Sequence, residues 1–89
     1  MKNTSKKIDL TLERSDRDLI REHGYPFPGI GAALDAVPSS KNVAVLRCDA
    51  YEVELLLGDL ARSINDCTDY DLQDRLNELY ERIEAEAAI

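Results

Sequence analysis

The sequence has little of the chemistry that small enzymes and metal proteins use. Its 89 residues include no tryptophan, one histidine (His23) and two cysteines (Cys48 and Cys67). A structural zinc site needs four such ligands, usually in closely spaced pairs, so we predict no bound metal. A catalytic cysteine would need that single histidine as its base. We interpret the two cysteines instead as a small buried residue and a loop thiol.

Cofactor-binding motifs are also missing. The segment PGIGAA (28–33) lacks the third glycine and the preceding strand of a dinucleotide-binding loop, and the sequence has no phosphate-binding loop with its lysine. The 18 acidic residues make close carboxylate pairs inevitable, but so short a chain cannot easily wall a catalytic cleft around them. We therefore predict that the protein is not an enzyme and holds no cofactor.

Long hydrophobic runs are absent as well. No apolar stretch approaches the roughly 20 residues that a transmembrane helix needs, so we expect no membrane partner. The first residues, MKNTSKK, are followed by IDLTLE rather than by the apolar core of a signal peptide. We expect a cytoplasmic protein whose two cysteines are both reduced.

Positive charge is concentrated in the first half of the chain. Residues 1–48 carry eight basic and six acidic side chains, a net charge of +2, whereas residues 49–89 carry three basic and twelve acidic ones, a net charge of −9; together they give −7. An acidic surface repels nucleic acid and attracts basic protein surfaces. The acidic half therefore forms either a solvated helix surface or a docking surface for a basic protein partner.

Three elements are predicted in the first half. Residues 8–13 alternate apolar and polar side chains, which is typical of a strand with one buried face. Ser15 followed by Asp18 resembles a capping box and predicts a short helix that ends at Gly24. A second helix is predicted over 28–37, because proline is favoured in a first helical turn and the next proline follows directly.

Three more elements are predicted in the second half. The apolar, β-branched run 43–48 predicts a strand. Asp49 with Glu52 resembles a capping box and opens a leucine-rich helix, and Thr68 with Asp71 repeats that pattern for a last helix. Both helices present apolar residues at spacings of three and four, as a helical hairpin with one buried face requires.

The predicted fold is a small α+β domain with the order β-α-α-β-α-α. A flexible basic tail (1–7) precedes a single domain (8–89) that ends in the helical hairpin. The two strands pair antiparallel with the helices over one face, or a second copy completes the sheet, because a sheet of two strands leaves both edges open.

Self-association is predicted from the third helix as well as from the sheet. Leu55 widens the apolar stripe beyond what one neighbouring helix covers. Gly58 costs helix stability relative to alanine, and together with Ala61 it would let another helix approach closely. That helix belongs either to the same chain or to a second copy. We expect a homodimer, and the sequence does not decide whether these residues form its interface.

Two groups of residues are predicted to contact another protein. The first is Tyr25 and Phe27, in a proline-flanked loop that would lose little entropy on binding. The alternative is that Phe27 plugs the core and Tyr25 caps its rim. If Phe27 is an anchor, Phe27→Ala weakens partner binding and leaves the circular dichroism spectrum unchanged. The second group is the acidic flank of the last helix: Asp71, Asp74, Glu78 and Glu81.

The functional hypothesis is a small, acidic, non-enzymatic protein-interaction module that self-associates. The alternative is a small regulator that contacts nucleic acid through its basic tail, with Lys2, Lys6 and Lys7. Tail-mediated binding of that kind would weaken steeply with salt.

Overall fold

The structure is a computed structural model that describes residues 6–24 and 28–87. It confirms the predicted α+β fold, the element order and the antiparallel pairing of the two strands. The elements, in chain order, are β1 (Lys7–Glu13), α1 (Arg14–His23), α2 (Pro28–Asp35), β2 (Val43–Asp49), α3 (Ala50–Asp66) and α4 (Tyr70–Ala87).

The two strands pair along their full length, with Leu10 opposite Leu46. Burial alternates along both strands, as the sequence pattern predicts. The inner face is buried and consists of Ile8, Leu10, Leu12, Ala44, Leu46 and Cys48. The helices pack on this one face, so the opposite face of the sheet is open to solvent.

The helices extend the core over the inner face of the sheet. Helix α4 packs beside β1, α2 packs beside β2, and α3 and α4 form the predicted C-terminal hairpin. Each helix contributes its apolar stripe, and the buried helical positions are Leu19, Ile20, Ile30, Leu34, Val53, Leu56, Leu60, Leu76, Leu79 and Ile83. Among the helices within residues 6–24 and 28–87, none has the length and apolar composition of a membrane-spanning helix.

Two predicted capping boxes are displaced by one or two residues. Helix α1 begins at Arg14, and the Asp16 side chain accepts the Glu13 backbone N–H at 2.9 Å, so the cap is not the predicted Ser15 with Asp18. Helix α4 is capped by Asp69 rather than by Thr68. Several acids and hydroxyls stand next to each helix start, and the tertiary path of the chain selects among them.

Glu52 has a different role from the predicted one. Asp49 caps α3 by accepting the Tyr51 N–H at 2.8 Å, as predicted. The Glu52 carboxylate instead accepts the backbone N–H groups of Gly29 at 3.3 Å and Ile30 at 3.0 Å, in the first turn of α2. A side chain of α3 thus caps the N-terminus of α2. The helix dipole also stabilises a negative charge at that end.

Three arginines of α1 donate hydrogen bonds to β1, to α2 and to the loop between α2 and β2. Arg14 donates to the Asn42 side chain at 2.7 Å, and Arg21 donates to the Leu34 carbonyl at 3.0 Å. Arg17 lies between them, is 2% exposed, and donates to the carbonyls of Leu12 and of Lys41. These cations therefore tie α1 to the end of β1, to the last turn of α2 and to the loop before β2.

Helix α4 is tied to the first half of the chain by two polar contacts. Arg82 donates to the buried Asp16 carboxylate at 2.5 Å. That hydrogen bond raises the pKa of Arg82 above its ordinary value, against the opposing effect of burial. Near the end of the helix, Glu86 accepts the backbone N–H of Thr11 at 3.0 Å.

Candidate functional site

The hydrogen-bond register of the sheet determines which backbone groups point out of it. Just beyond the ladder, the Arg14 N–H donates to the Asn42 carbonyl and the Ala50 N–H donates to the Lys6 carbonyl. In an antiparallel pair, bonded and non-bonded positions alternate. The even-numbered positions therefore bond between the strands, and the odd-numbered ones point their N–H and C=O groups toward the two edges.

The two edges of the sheet differ in how many of their outward-pointing backbone groups have hydrogen-bond partners. At the β1 edge, the N–H groups of Thr11 and Glu13 donate to the carboxylates of Glu86 and Asp16. At the β2 edge, the backbone N–H and C=O groups that point outward are those of Val43, Val45 and Arg47. The described chain supplies no hydrogen-bond partner to these backbone groups. An uncovered row of backbone donors and acceptors is a template for another strand.

Exposed apolar side chains are concentrated close to this edge in the chain. The large hydrophobic side chains exposed in the described residues are Val43, Val45, Tyr51, Leu55 and Tyr70. All except Tyr70 fall within residues 43–55, which form β2 and the first turns of α3. Val45 is 63% exposed on the solvent face of the sheet. We call the residues Val43, Val45 and Arg47 the β2 edge.

The predicted helix seam lies on the outer side of α3. Leu55 is 37% exposed, Gly58 is exposed and Ala61 is half-buried. A Cβ atom added at Gly58 would meet no atom within 4 Å, so no helix of the described chain lies against it. A seam with a second copy at these residues stays a prediction.

The predicted partner-binding residues are only partly placed by the structure. Tyr25 and Phe27 lie outside the described residues, so their anchor role stays a prediction. The acids of the flank are all exposed on one side of α4, at spacings of three and four: Asp71, Asp74, Glu78 and Glu81. Their role in binding a basic partner also stays a prediction.

His23 and Cys67 line one open pocket of about 440 Å³ between the end of α1 and the α3–α4 turn. The Cys67 thiol donates to the Asp69 carbonyl at 3.3 Å, and the nearby Ser63 hydroxyl donates to the His23 carbonyl at 2.5 Å. The histidine Nε2 lies 3.7 Å from Glu22. Neither possible nucleophile has the imidazole as its hydrogen-bond partner, which is the arrangement that activates a thiol or a hydroxyl.

Cys48 is buried at the end of β2, on the inner face of the sheet. Burial, and to a smaller extent the negative charges of Glu52 and Asp9, raise the pKa of its thiol to about 11. The thiol is therefore protonated at neutral pH and acts as a small apolar residue. Within residues 6–24 and 28–87, no group of three or more His, Cys, Asp or Glu side chains is arranged to hold a metal ion.

The open β2 edge was only partly accessible to sequence reasoning. The free edges of a two-stranded sheet were foreseen, but the exposure of Val43 and Val45 was not, because residues 43–46 are continuously apolar and do not alternate with polar residues. The strand pairing is what indicates the exposure of these valines. In the register found, the polar residues Thr11 and Glu13 stand opposite these two valines on the solvent face.

In comparisons with known proteins, no protein-family model, no curated protein and no solved structure matches the chain.

Proposed function

We propose that the protein is a small, non-enzymatic interaction module that binds a second copy of itself through the β2 edge. The observation that carries the proposal is the combination at Val45, whose side chain is 63% exposed and whose backbone groups point away from the β1 ladder. A two-stranded sheet with one open edge gains both hydrogen bonds and apolar contacts when another strand joins it.

The absence of enzymatic activity is supported by how the nucleophilic side chains are used. The Cys48 thiol is buried with a raised pKa, and Cys67 and Ser63 donate to backbone carbonyls. A hydroxyl or thiol nucleophile requires a base within hydrogen-bond reach. The described residues supply structural partners to these groups instead.

A basic protein partner remains part of the proposal for the acidic flank of α4, defined above. The alternative, nucleic acid bound by the basic tail, has less support. The three arginines of α1 donate to groups within the fold, and Lys7 lies 3.9 Å from the Asp49 carboxylate. Within the described residues, Lys7 of the tail thus has a carboxylate neighbour inside the fold.

Sedimentation velocity from micromolar to near-millimolar concentration tests self-association through the β2 edge. We expect the wild type to dimerise and Val45→Lys to remain monomeric, because a lysine on each copy would place two like charges at the seam. Tyr70→Lys is the matched control, since Tyr70 is the most exposed large apolar side chain among the described residues and lies on α4. It makes the same change in charge and should dimerise like the wild type.

Other outcomes would contradict this proposal. A wild type that stays monomeric throughout would remove self-association. Loss of the dimer in Leu55→Lys but not in Val45→Lys would place the seam on α3, at the residues predicted from sequence. Circular dichroism and urea denaturation of each variant establish that it is folded.

A further inference from the structure

We infer that the second copy joins β2 antiparallel and in one register, with Val45 facing Val45 of the second copy, so that two two-stranded sheets become one four-stranded sheet. The inference rests on the proposed function and specifies the geometry of its seam. It follows from the direction of the backbone groups, the positions of the charges and the exposure of the valines.

The direction of pairing follows from symmetry. Two identical surfaces meet around a two-fold axis, so each residue contacts the equivalent set on the other copy. When the sheet continues across the seam, that axis is perpendicular to the sheet and the two β2 strands run antiparallel. The helices of both copies then lie on the same face, where they can remain packed on the inner residues as they are in one chain.

The backbone of the β2 edge favours the register centred on Val45. Val43, Val45 and Arg47 are the strand residues whose N–H and C=O groups point outward without assigned partners in the described chain. With Val45 on the axis, each Val43 faces Arg47 of the other copy. Every one of these residues can then exchange both bonds with its opposite, as bonded antiparallel pairs do.

The charges of the edge disfavour the two neighbouring registers. A shift of two residues in one direction places the two Arg47 side chains diagonally across the seam, within about 8 Å. A shift of two in the other direction places Arg47 opposite Lys41 of the second copy. The central register separates the two Arg47 positions by four residues, about 13 Å along the strands.

The solvent face of the joined sheet is also complementary in this register. Arg47 already pairs with Asp9 across β1 and β2 at 3.1 Å, so its charge is balanced within its own copy. Across the seam it stands beside Val43, and Glu13 of the second copy continues that cross-strand row. The two Val45 side chains meet at the centre, where each covers the apolar surface that the other leaves exposed.

The edge has few of the features that keep exposed strands apart. Natural edge strands are commonly protected by charged side chains, proline, bulges or a covering segment. The β2 strand reads VAVLRCD, with no proline, and its ladder to β1 is continuous from Val43 to Asp49; its one basic residue, Arg47, is paired with Asp9. At the β1 edge, by contrast, Glu86 and Asp16 occupy outward-pointing N–H groups.

Cysteine cross-linking in the full chain tests the register. In a Cys67→Ser background, single variants Val43→Cys, Val45→Cys and Arg47→Cys are oxidised with a copper catalyst, alone and in pairwise mixtures. A disulfide needs Cα atoms within about 7 Å, and bonded antiparallel partners are about 5.5 Å apart. We expect Val45→Cys to link to itself, and Val43→Cys and Arg47→Cys to link only when mixed.

The alternatives give distinct results. Preferential linking of Val45→Cys with Arg47→Cys, or of Val43→Cys with Val45→Cys, would overturn the register and leave pairing at the edge intact. A wild type that sediments as a dimer while none of the three variants cross-links would overturn pairing at the edge but not self-association. A monomeric wild type would remove the proposed function and this inference together.

Discussion

Arg17 illustrates how a single residue can differ from its appearance in the sequence. It stands in the charged segment RSDRD, which resembles a solvated helix surface, yet it is 2% exposed. Its guanidinium reaches carbonyl groups at both ends of the sheet connection, on Leu12 and Lys41. The flexible length and five donors of arginine make this possible, and neither the spacing nor the local composition reveals which carbonyls lie within reach.

Because of Cys48, the stability of the protein should decrease in the alkaline pH range. Burial raises the pKa of its thiol from 9.0 to about 11. Between these values the folded chain keeps a proton that the unfolded chain releases, so the free energy of unfolding should fall as the pH rises from about 9 to 11. Urea denaturation of the wild type and of Cys48→Ala across this range measures the effect.

The loss should be smaller in Cys48→Ala than in the wild type. Cys67→Ala serves as the control, because Cys67 lies in the α3–α4 turn and is less buried than Cys48. It should lose as much stability as the wild type over this range. Parallel curves for the wild type and Cys48→Ala would contradict the protonated, buried thiol.

At the scale of elements, the sequence predicts which segments form strands and helices but not all of their ends. The alternation in 8–13 and the three-and-four spacing of the leucines set the type of each element, because local burial dictates both patterns. The α1 cap was misassigned because Ser15 is a favoured N-cap residue and Glu13 is not. The tertiary bond that Arg82 donates to Asp16 holds that carboxylate at the start of the helix, and no local pattern reveals it.

Glu52 and Gly29 couple α3 to α2, and this coupling can be measured. A Cβ atom on Gly29 would lie 2.9 Å from one Glu52 carboxylate oxygen, so Gly29→Ala should displace the cap. In the Glu52→Ala background there is no cap to displace, and alanine should stabilise the helix by up to about 1 kcal/mol. We expect a coupling free energy of about 1 kcal/mol from urea denaturation of the single and double variants.

The double-mutant cycle has a clear contrary result. If Gly29→Ala changed the free energy of unfolding equally in both backgrounds, Glu52 would not cap α2. Asp49→Ala removes the cap of α3 itself and provides the comparison. Its effect should not depend on whether residue 29 is glycine or alanine, since the Tyr51 N–H that Asp49 caps belongs to α3 itself.

At the scale of the whole molecule, the sequence predicted a sheet with open edges but not which edge stays open. The contact that covers β1 joins residues 75 positions apart, Thr11 and Glu86, and the bond between Asp16 and Arg82 spans 66. Such contacts depend on how the C-terminal hairpin crosses the sheet, which local patterns do not encode. Because Glu86 and Asp16 occupy two N–H groups of the β1 edge, the β2 edge offers another strand the longer uncovered row in the described chain.

Two different dimers follow from the two candidate interfaces. One is the α3 seam predicted at Leu55, Gly58 and Ala61, and the other is the β2 edge. A seam on α3 would join helices and leave the sheet at two strands. A seam on β2 would extend the sheet and leave the outer side of α3 exposed. The backbone amides of β2 distinguish these arrangements because they report hydrogen bonding directly.

The most direct measurement is residue-resolved amide hydrogen exchange by NMR at several protein concentrations. In the monomer, the amides of Ala44, Leu46 and Cys48 should be protected by the β1 ladder, while those of Val43, Val45 and Arg47 should exchange quickly. As the concentration rises and the dimer forms, the second set should become protected too. A dimer in which the Val45 amide still exchanges as in the monomer would contradict pairing at the β2 edge.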